Sequence, residues 1–287
     1  MFSHIKKYYS LIIIGILFLL TSFVWYRVYT NRVHPLRFIM LDVGQGDALF
    51  IEAPNGNRVL IDGGAGDVLL SQVGRVMPFF DRDIDLLINT NPDKDHFEGF
   101  IPLLDRYSVG AFMESGTLAD GSSLWVELKK KIKNKGIAEI VARRGQRIVL
   151  GDEVYIDILF PDRDIPNVSH NDGSIVAQLV YKGTKVMLTG DSTTNIEKYL
   201  IGLDGERLDS DILKAGHHGS KTSTGEEFLK EVSPNIVLIS AGKGNSYGHP
   251  SSETVEVLEK NKIPYLVTMD EGMIVFESDG QDFVRVK

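Results

Sequence analysis

Asn91-Pro92-Asp93-Lys94-Asp95-His96 follows directly on an apolar run at 86–88. Four side chains in this tight loop offer oxygen or nitrogen to a cation. Taken alone, the segment reads equally well as an Asp-rich capping turn ahead of a helix. Two further clusters decide between these readings. Met187-Leu188-Thr189-Gly190-Asp191 sets a carboxylate just past another apolar strand. Gly216-His217-His218-Gly219-Ser220 sets two imidazoles between glycines, which leave room for a ligand. Three polar clusters at strand ends, far apart in sequence, are hard to account for as independent turns.

Composition narrows the chemistry. The 287 residues are 43% hydrophobic and 24% charged, ordinary for a globular protein with a full core. There is no cysteine, so disulfides and thiolate zinc sites are excluded and a metal site must draw on His, Asp, Glu or Asn. The net charge of −8 gives no overall attraction for nucleic acid or an anionic membrane. Local positive charge is concentrated in Lys129, Lys130, Lys131, Lys133, Lys135, Arg143, Arg144 and Arg147, with Glu139 the one acid among them. Such a run is either a phosphate-tracking patch or a solvated helix face.

The amino terminus stands apart. Residues 8–26 carry no charge, about the 20 apolar positions that a membrane span needs. Tyr8, Tyr9, Trp25 and Tyr26 sit at the two ends, where amphipathic rings favour the interface. No small-x-small cleavage signal follows. The expectation is an uncleaved single-pass anchor over about 8–26, within an amino-terminal unit 1–34. Lys6 and Lys7 nearly balance Arg27 and Arg32, and the slight lean places the soluble part, 35–287, outside the cytoplasm.

Beyond Pro35, short β-branched runs bounded by Gly, Asp and Asn predict strands over 38–43, 48–52, 58–61, 86–88, 154–159, 174–181, 186–188, 236–239 and 273–276. Asn55-Gly56-Asn57 predicts a hairpin turn. Helices are expected over 68–80, 98–107, 196–201, 226–232 and 252–261. Strands followed by helices in both halves, with no Pro- or Ser-rich linker, imply one α/β domain of two packed sheets with helices outside.

In chain order, Asp42-Val43-Gly44-Gln45-Gly46-Asp47, Ile61-Asp62-Gly63-Gly64, the Asp93/Asp95/His96 loop, Leu188-Thr189-Gly190-Asp191, His217-His218-Gly219-Ser220 and Tyr247-Gly248-His249-Pro250 resemble the motifs of the metallo-β-lactamase superfamily. More narrowly, over about residues 36–278, they resemble the carboxy-terminal domain of the ComEC-type DNA-uptake competence proteins. The resemblance implies a four-layer αββα sandwich and a metal-dependent hydrolase. Its substrate would be a phosphodiester such as single-stranded DNA, or another ester or lactone. No protein partner is implied.

Carried over position by position, the resemblance implies that Asp95, His96 and His217 bind one metal ion and that Asp191 bridges to a second. The second ion would take Asp93, Asp191 and a contribution from Asn91, His170 or Asn171. Asp95 would also orient the attacking water, His218 would serve the leaving group, and Ser220 would position the loop. The family loop usually opens with His where this chain has Asn91, a weak zinc ligand, so an oxygen-rich second site would suit Mn²⁺ or Mg²⁺ better than Zn²⁺. One or two divalent ions, Zn or Mn, are therefore expected. The same departure motivates a rival reading, a non-catalytic binding domain. Asp42, Asp47 and Asp62 either orient metal ligands or cap glycine turns. His249 either lines the pocket or caps a turn.

Overall fold

The computed structural model describes residues 2–30, 34–119, 121–151 and 153–287. Contacts divide the chain into two units, Met1–His34 and Pro35–Lys287. The first contains helix α1 (Phe2–Thr30), whose side chains over 11–27 are exposed. Among the described residues no helix is long and apolar enough to cross a membrane, so the structure shows a helix where a span over 8–26 is expected, and no span. Arg32 and the side chains of Lys6 and Lys7, on which the expected orientation rests, lie outside the described residues.

Among the described residues the second unit holds fifteen strands. β1 (Leu36–Met40), β2 (Leu49–Glu52), β3 (Arg58–Ile61), β4 (Asp83–Asn89), β5 (Ser108–Glu114) and β6 (Ala138–Val141) belong to one sheet. β7 (Arg147–Gly151), β8 (Val154–Phe160), β9 (Val176–Tyr181), β10 (Thr184–Leu188), β11 (Ile212–Lys214), β12 (Ile236–Ile239) and β13 (Tyr265–Val267) form the other. β14 (Ile274–Ser278) and β15 (Phe283–Arg285) return to the first, giving the order β15-β14-β1-β2-β3-β4-β5-β6. The turn at Asn55-Gly56-Asn57 closes the β2–β3 hairpin, with Gly56 at φ +92°.

Side-chain alternation explains the layering. In β1, Phe38 and Met40 point into the space between the sheets, where they meet Ile156, Leu179, Val186 and Leu238 of the second sheet. Ile39, one residue out of phase, faces the opposite way and packs in a second core with Leu69, Val73, Phe97, Phe100, Leu128 and Ile132. Those residues come from α2 (Val68–Val76), α3 (Lys94–Phe97), α4 (Phe100–Leu103) and α5 (Ser123–Lys135). A third core covers the outside of the second sheet with Leu200, Phe228, Leu229 and Leu258. These belong to α6 (Thr194–Asp204), α7 (Glu226–Val232) and α8 (Ser252–Lys260). A last helical turn, α9 (Thr268–Glu271), follows β13. The sandwich is helix, sheet, sheet, helix.

Several expected boundaries move. The helix expected over 68–80 stops at Val76, because Met77 is extended ahead of Pro78, as the residue before proline prefers. The helix expected over 98–107 is reduced to one short helical turn, α4, with α3 lying just ahead of the expected range. The basic run proves to be α5 and the segment after it, and much of its charge is paired: Lys129 with Glu114 and Glu139, Lys131 with Asp105, Arg144 with Asp204, Arg147 with Asp157. β3 to β6 run parallel, as do β10 to β13. The carboxyl ends of β3, β4, β10, β11 and β12 meet at one edge of the sandwich, the place where parallel sheets build ligand sites.

Candidate metal centre

Three loops lock together before any ligand is placed. Asp47 N–H donates to the Asp95 carbonyl (3.3 Å), Gly63 N–H to the His96 carbonyl (2.6 Å) and Gly64 N–H to the Asp47 carbonyl (2.8 Å). The approach is so close that a Cβ on Gly46, which sits at φ +112°, would lie 2.2 Å from the Asp95 carbonyl oxygen. The loop after β1 is held from the other sheet by Ser240, whose hydroxyl donates to the Gly46 carbonyl (2.6 Å). Glycines in these motifs thus allow strand-end loops of both sheets to touch.

On this frame the ligand candidates converge. His96 Nε2 lies 3.1 Å from Asp191 Oδ2, His218 Nε2 3.6 Å and His217 Nε2 3.8 Å. Asp95 Oδ2 is 3.3 Å from His218 Nε2. His96, Asp191 and His218 are buried. Behind His96, Nδ1 donates to Asp62 Oδ2 (2.8 Å), which fixes the ring with its Nε2 facing the cluster. Asp62 is itself held by Thr90, whose N–H and hydroxyl each donate to it at 2.7 Å. His218 repeats the device: Nδ1 donates to the Ser240 carbonyl (3.1 Å) and lies 3.3 Å from Asp47 Oδ1. Carboxylate and carbonyl partners of this kind set tautomer and basicity in metal-binding histidines.

The electrostatics follow from burying charges together. Burial disfavours the imidazolium at His218, but Asp191 and Asp47 outweigh it and push the pKa up to about 10. His96 is likewise raised, burial being overcome by Asp191 and Asp62. Burial would raise Asp95, yet His218 and His96 hold it down at about 2. Asp191 is held well below the carboxylate range against burial, chiefly by the same two rings. His217 and His249, nearer the surface, are lowered, first by burial and then by neighbouring imidazoles.

The donor set fits a divalent ion. Among the described residues, buried His96 Nε2, His218 Nε2 and Asp191 Oδ1 have no hydrogen-bond partner. Asp95, His96 and His218 form a group of three whose ligand atoms all lie within 4.8 Å of one another, and so do Asp47, Asp191 and His218. Positions differ from expectation in two respects. His218, expected beside a leaving group, is the deeper histidine, while His217, expected as a ligand, is 26% exposed and joins no group of three among the described residues. Both rings face Asp191 because both residues adopt positive φ, 46° and 56°, which defeats any inside–outside alternation. The second half-site is also turned away. Asn91 Oδ1 accepts from Asp93 N–H (2.9 Å) and its amide donates to Ser174 (3.2 Å). Asp93 pairs instead with His170 Nδ1 (2.6 Å).

The remaining candidates lie around the rim. Asn171 Nδ2 is 3.4 Å from His217 Nδ1, and the His249 ring is 5.5 Å from that of His217. Ser220 is buried against Thr222 (3.0 Å) within its own loop. Asp42 accepts from Gly44 N–H (3.3 Å), a turn contact. A cleft of about 580 Å³, lined by Asp93, Leu118, Pro166, Val168, His170 and Asn171, opens alongside. Sequence reasoning missed Lys214, the last residue of β11, which is 1% exposed beside Asp47 and Asp191. A lysine ending a three-residue apolar strand carries no mark of burial.

A two-sheet sandwich with a His/Asp cluster at its strand ends defines a metallohydrolase-type fold. The Metallo-beta-lactamase superfamily model matches residues 41–243, and the chain belongs to that superfamily. It is 31% identical over 255 residues to ComE operon protein 3 of Bacillus subtilis (strain 168), covering 83% of this chain and 32% of that one. It is 29% identical to Competence protein ComA of Neisseria gonorrhoeae, covering 90% of this chain and 34% of the relative. The chain thus spans about a third of the length of these competence proteins. Among solved structures, the diiron beta-hydroxylase CmlA from Streptomyces venezuelae shares the fold at TM-score 0.51 and 14% identity, over 88% of this chain and 54% of that one.

Proposed function

We propose that the domain is a metal-dependent phosphodiesterase acting through a centre made of Asp95, His96, Asp191 and His218. The observation that carries this reading is the convergence of three imidazole Nε2 atoms on one oxygen, Asp191 Oδ2, at 3.1, 3.6 and 3.8 Å. A divalent ion held there supplies Lewis-acid activation of water, lowering its pKa from about 15.7 towards about 7. Asp95, held ionised and facing the same point, would orient that water by accepting a hydrogen bond from it. His217, neutral at the mouth, takes the place expected of His218 and donates a hydrogen bond to the leaving oxygen. The cleft beside Asn171 receives the substrate, and likeness to competence proteins favours single-stranded nucleic acid.

The test is metal analysis of the purified chain followed by hydrolysis of a chromogenic phosphodiester with added Mn²⁺. Bound metal and turnover, both lost in Asp191→Asn, are expected. Metal without turnover would instead favour the non-catalytic binding domain, the reading that the turned-away Asn91 amide supports.

We infer further that α1 holds the chain at a membrane. Its support is the exposed apolar surface formed by Ile12, Leu17, Phe18 and Leu19. Sedimentation with lipid vesicles, compared between the whole chain and residues 35–287, checks this. Equal partitioning of the two would dismiss it.

A further inference from the structure

Lys214 is a buried charge at the centre with no part in the proposed reaction. Lys214 Nζ forms an ion pair with Asp47 Oδ2, lies 3.8 Å from Asp191 Oδ1, and donates to the Gly190 carbonyl at 2.8 Å. At 1% exposure, such an ammonium is expensive to bury unless carboxylates face it. Asp191 is divided between two neighbours: Oδ2 looks toward the imidazoles and Oδ1 toward Lys214. On the other side of the centre the residues expected to hold a second metal ion are engaged with each other, Asn91 with Asp93 and Asp93 with His170.

We propose that Lys214 is a built-in cation that fixes the centre at one divalent ion. Its ammonium neutralises Asp47 and the inner oxygen of Asp191, so that this pair draws in no further cation, and it keeps Asp191 presenting Oδ2 to the imidazoles. Lys214 is in this sense a positioning residue. Charge explains why removing it matters. Buried Asp47, Asp62 and Asp191 and half-buried Asp95 bring four carboxylates into one cluster, and a monovalent and a divalent cation together leave that cluster near a tolerable charge. Without the lysine, Asp47 Oδ2, Asp191 Oδ1 and the Gly190 carbonyl that faced its ammonium are left unneutralised, and the space between them becomes a site for another cation.

The inference rests on the metal-centre reading, and the experiment separates the two. The full chain and Lys214→Gln are titrated with Mn²⁺, the bound ion counted by elemental analysis and by the electron spin resonance of free Mn²⁺. One ion per native chain and two per Lys214→Gln chain are expected, with spin coupling between neighbouring ions in the variant. Adding Asp47→Asn to Lys214→Gln removes the surplus carboxylate and returns the count to one. A folded Lys214→Gln that binds one ion as the native chain does, a double variant that still binds two, or a native chain that binds two would each overturn the proposal. A native chain that binds none removes the metal centre itself. Should Lys214→Gln be unfolded without metal, Mn²⁺ is expected to restore its thermal transition, and failure to do so at saturating Mn²⁺ also overturns the assignment.

Discussion

Gly46 and Asp62 show how single residues set the centre from behind the side chains that would hold the ion. An alanine Cβ at 46 would meet the Asp95 carbonyl at 2.2 Å, in a backbone conformation that L-residues avoid. Gly46→Ala is therefore expected to lower stability by about 1–3 kcal/mol and to weaken metal binding, because Asp95 must move. Denaturant unfolding and a Mn²⁺ titration check both, and native values in both would remove the packing argument. Asp62→Asn keeps the size but replaces the carboxylate behind His96. A loss of about 10–100-fold in metal affinity is expected, with unfolding little changed. Isothermal titration reads this, and unaltered affinity would reduce Asp62 to a turn residue. At this scale the sequence was partly transparent. Asp95, His96 and Asp191 stand out because polar side chains follow apolar strands immediately. The order of His217 and His218 was hidden, since it depends on two consecutive residues at positive φ. Lys214 was hidden because its burial depends on carboxylates far away in sequence.

Elements carry the next layer of control. α6 is tied to the loop that follows His217 and His218 by Glu197, which accepts from the backbone N–H of Thr224 (2.5 Å) and Gly225 (2.9 Å). Thr224 in turn accepts from Gly216 N–H at 3.0 Å, at the start of the histidine turn. Burial raises the Glu197 carboxyl to about 7, the two N–H donors opposing it only in part. Below about pH 4.5 the group is protonated in folded and unfolded chains alike, so it costs nothing. As pH rises toward 7 the unfolded chain gains an ionised carboxylate that the folded one resists, and stability falls by on the order of 3 kcal/mol. Above 7 the loss is constant. Glu197→Gln is expected to flatten this part of the pH–stability curve, measured by thermal unfolding between pH 4.5 and 8. An equally steep variant would assign the slope to other groups. Elements such as α6 and α7 were readable from their periodicity, whereas β5 and β11 were not. Gly110 interrupts the first, and the second is only three residues long.

At the scale of the molecule, the centre joins the two sheets. Asp95 and His96 leave the first sheet after β4, while Asp191 and His218 leave the second after β10 and β11. An ion held between them binds the folded chain and not the unfolded one, and so adds RT ln(1 + [L]/Kd), about 2.7 kcal/mol at a hundredfold excess over Kd. The inter-sheet core makes a separate contribution. Leu179 is fully buried on β9 within it, in register with Ile156 on β8 and Val186 on β10. Leu179→Ala is expected to cost about 2–5 kcal/mol through lost burial and the cavity left behind. Distant independent sites add to within about 0.5 kcal/mol, and the two effects are expected to add on that scale. Unfolding of native and Leu179→Ala chains, each with Mn²⁺ and with chelator, gives the four numbers required. Equal metal increments in the two chains mean that the sheets hold the ligands in place by their loops. A markedly smaller increment in the variant would mean that the ligand geometry depends on the fine packing between the sheets, and the strand-end loops would lose their standing as an independent frame.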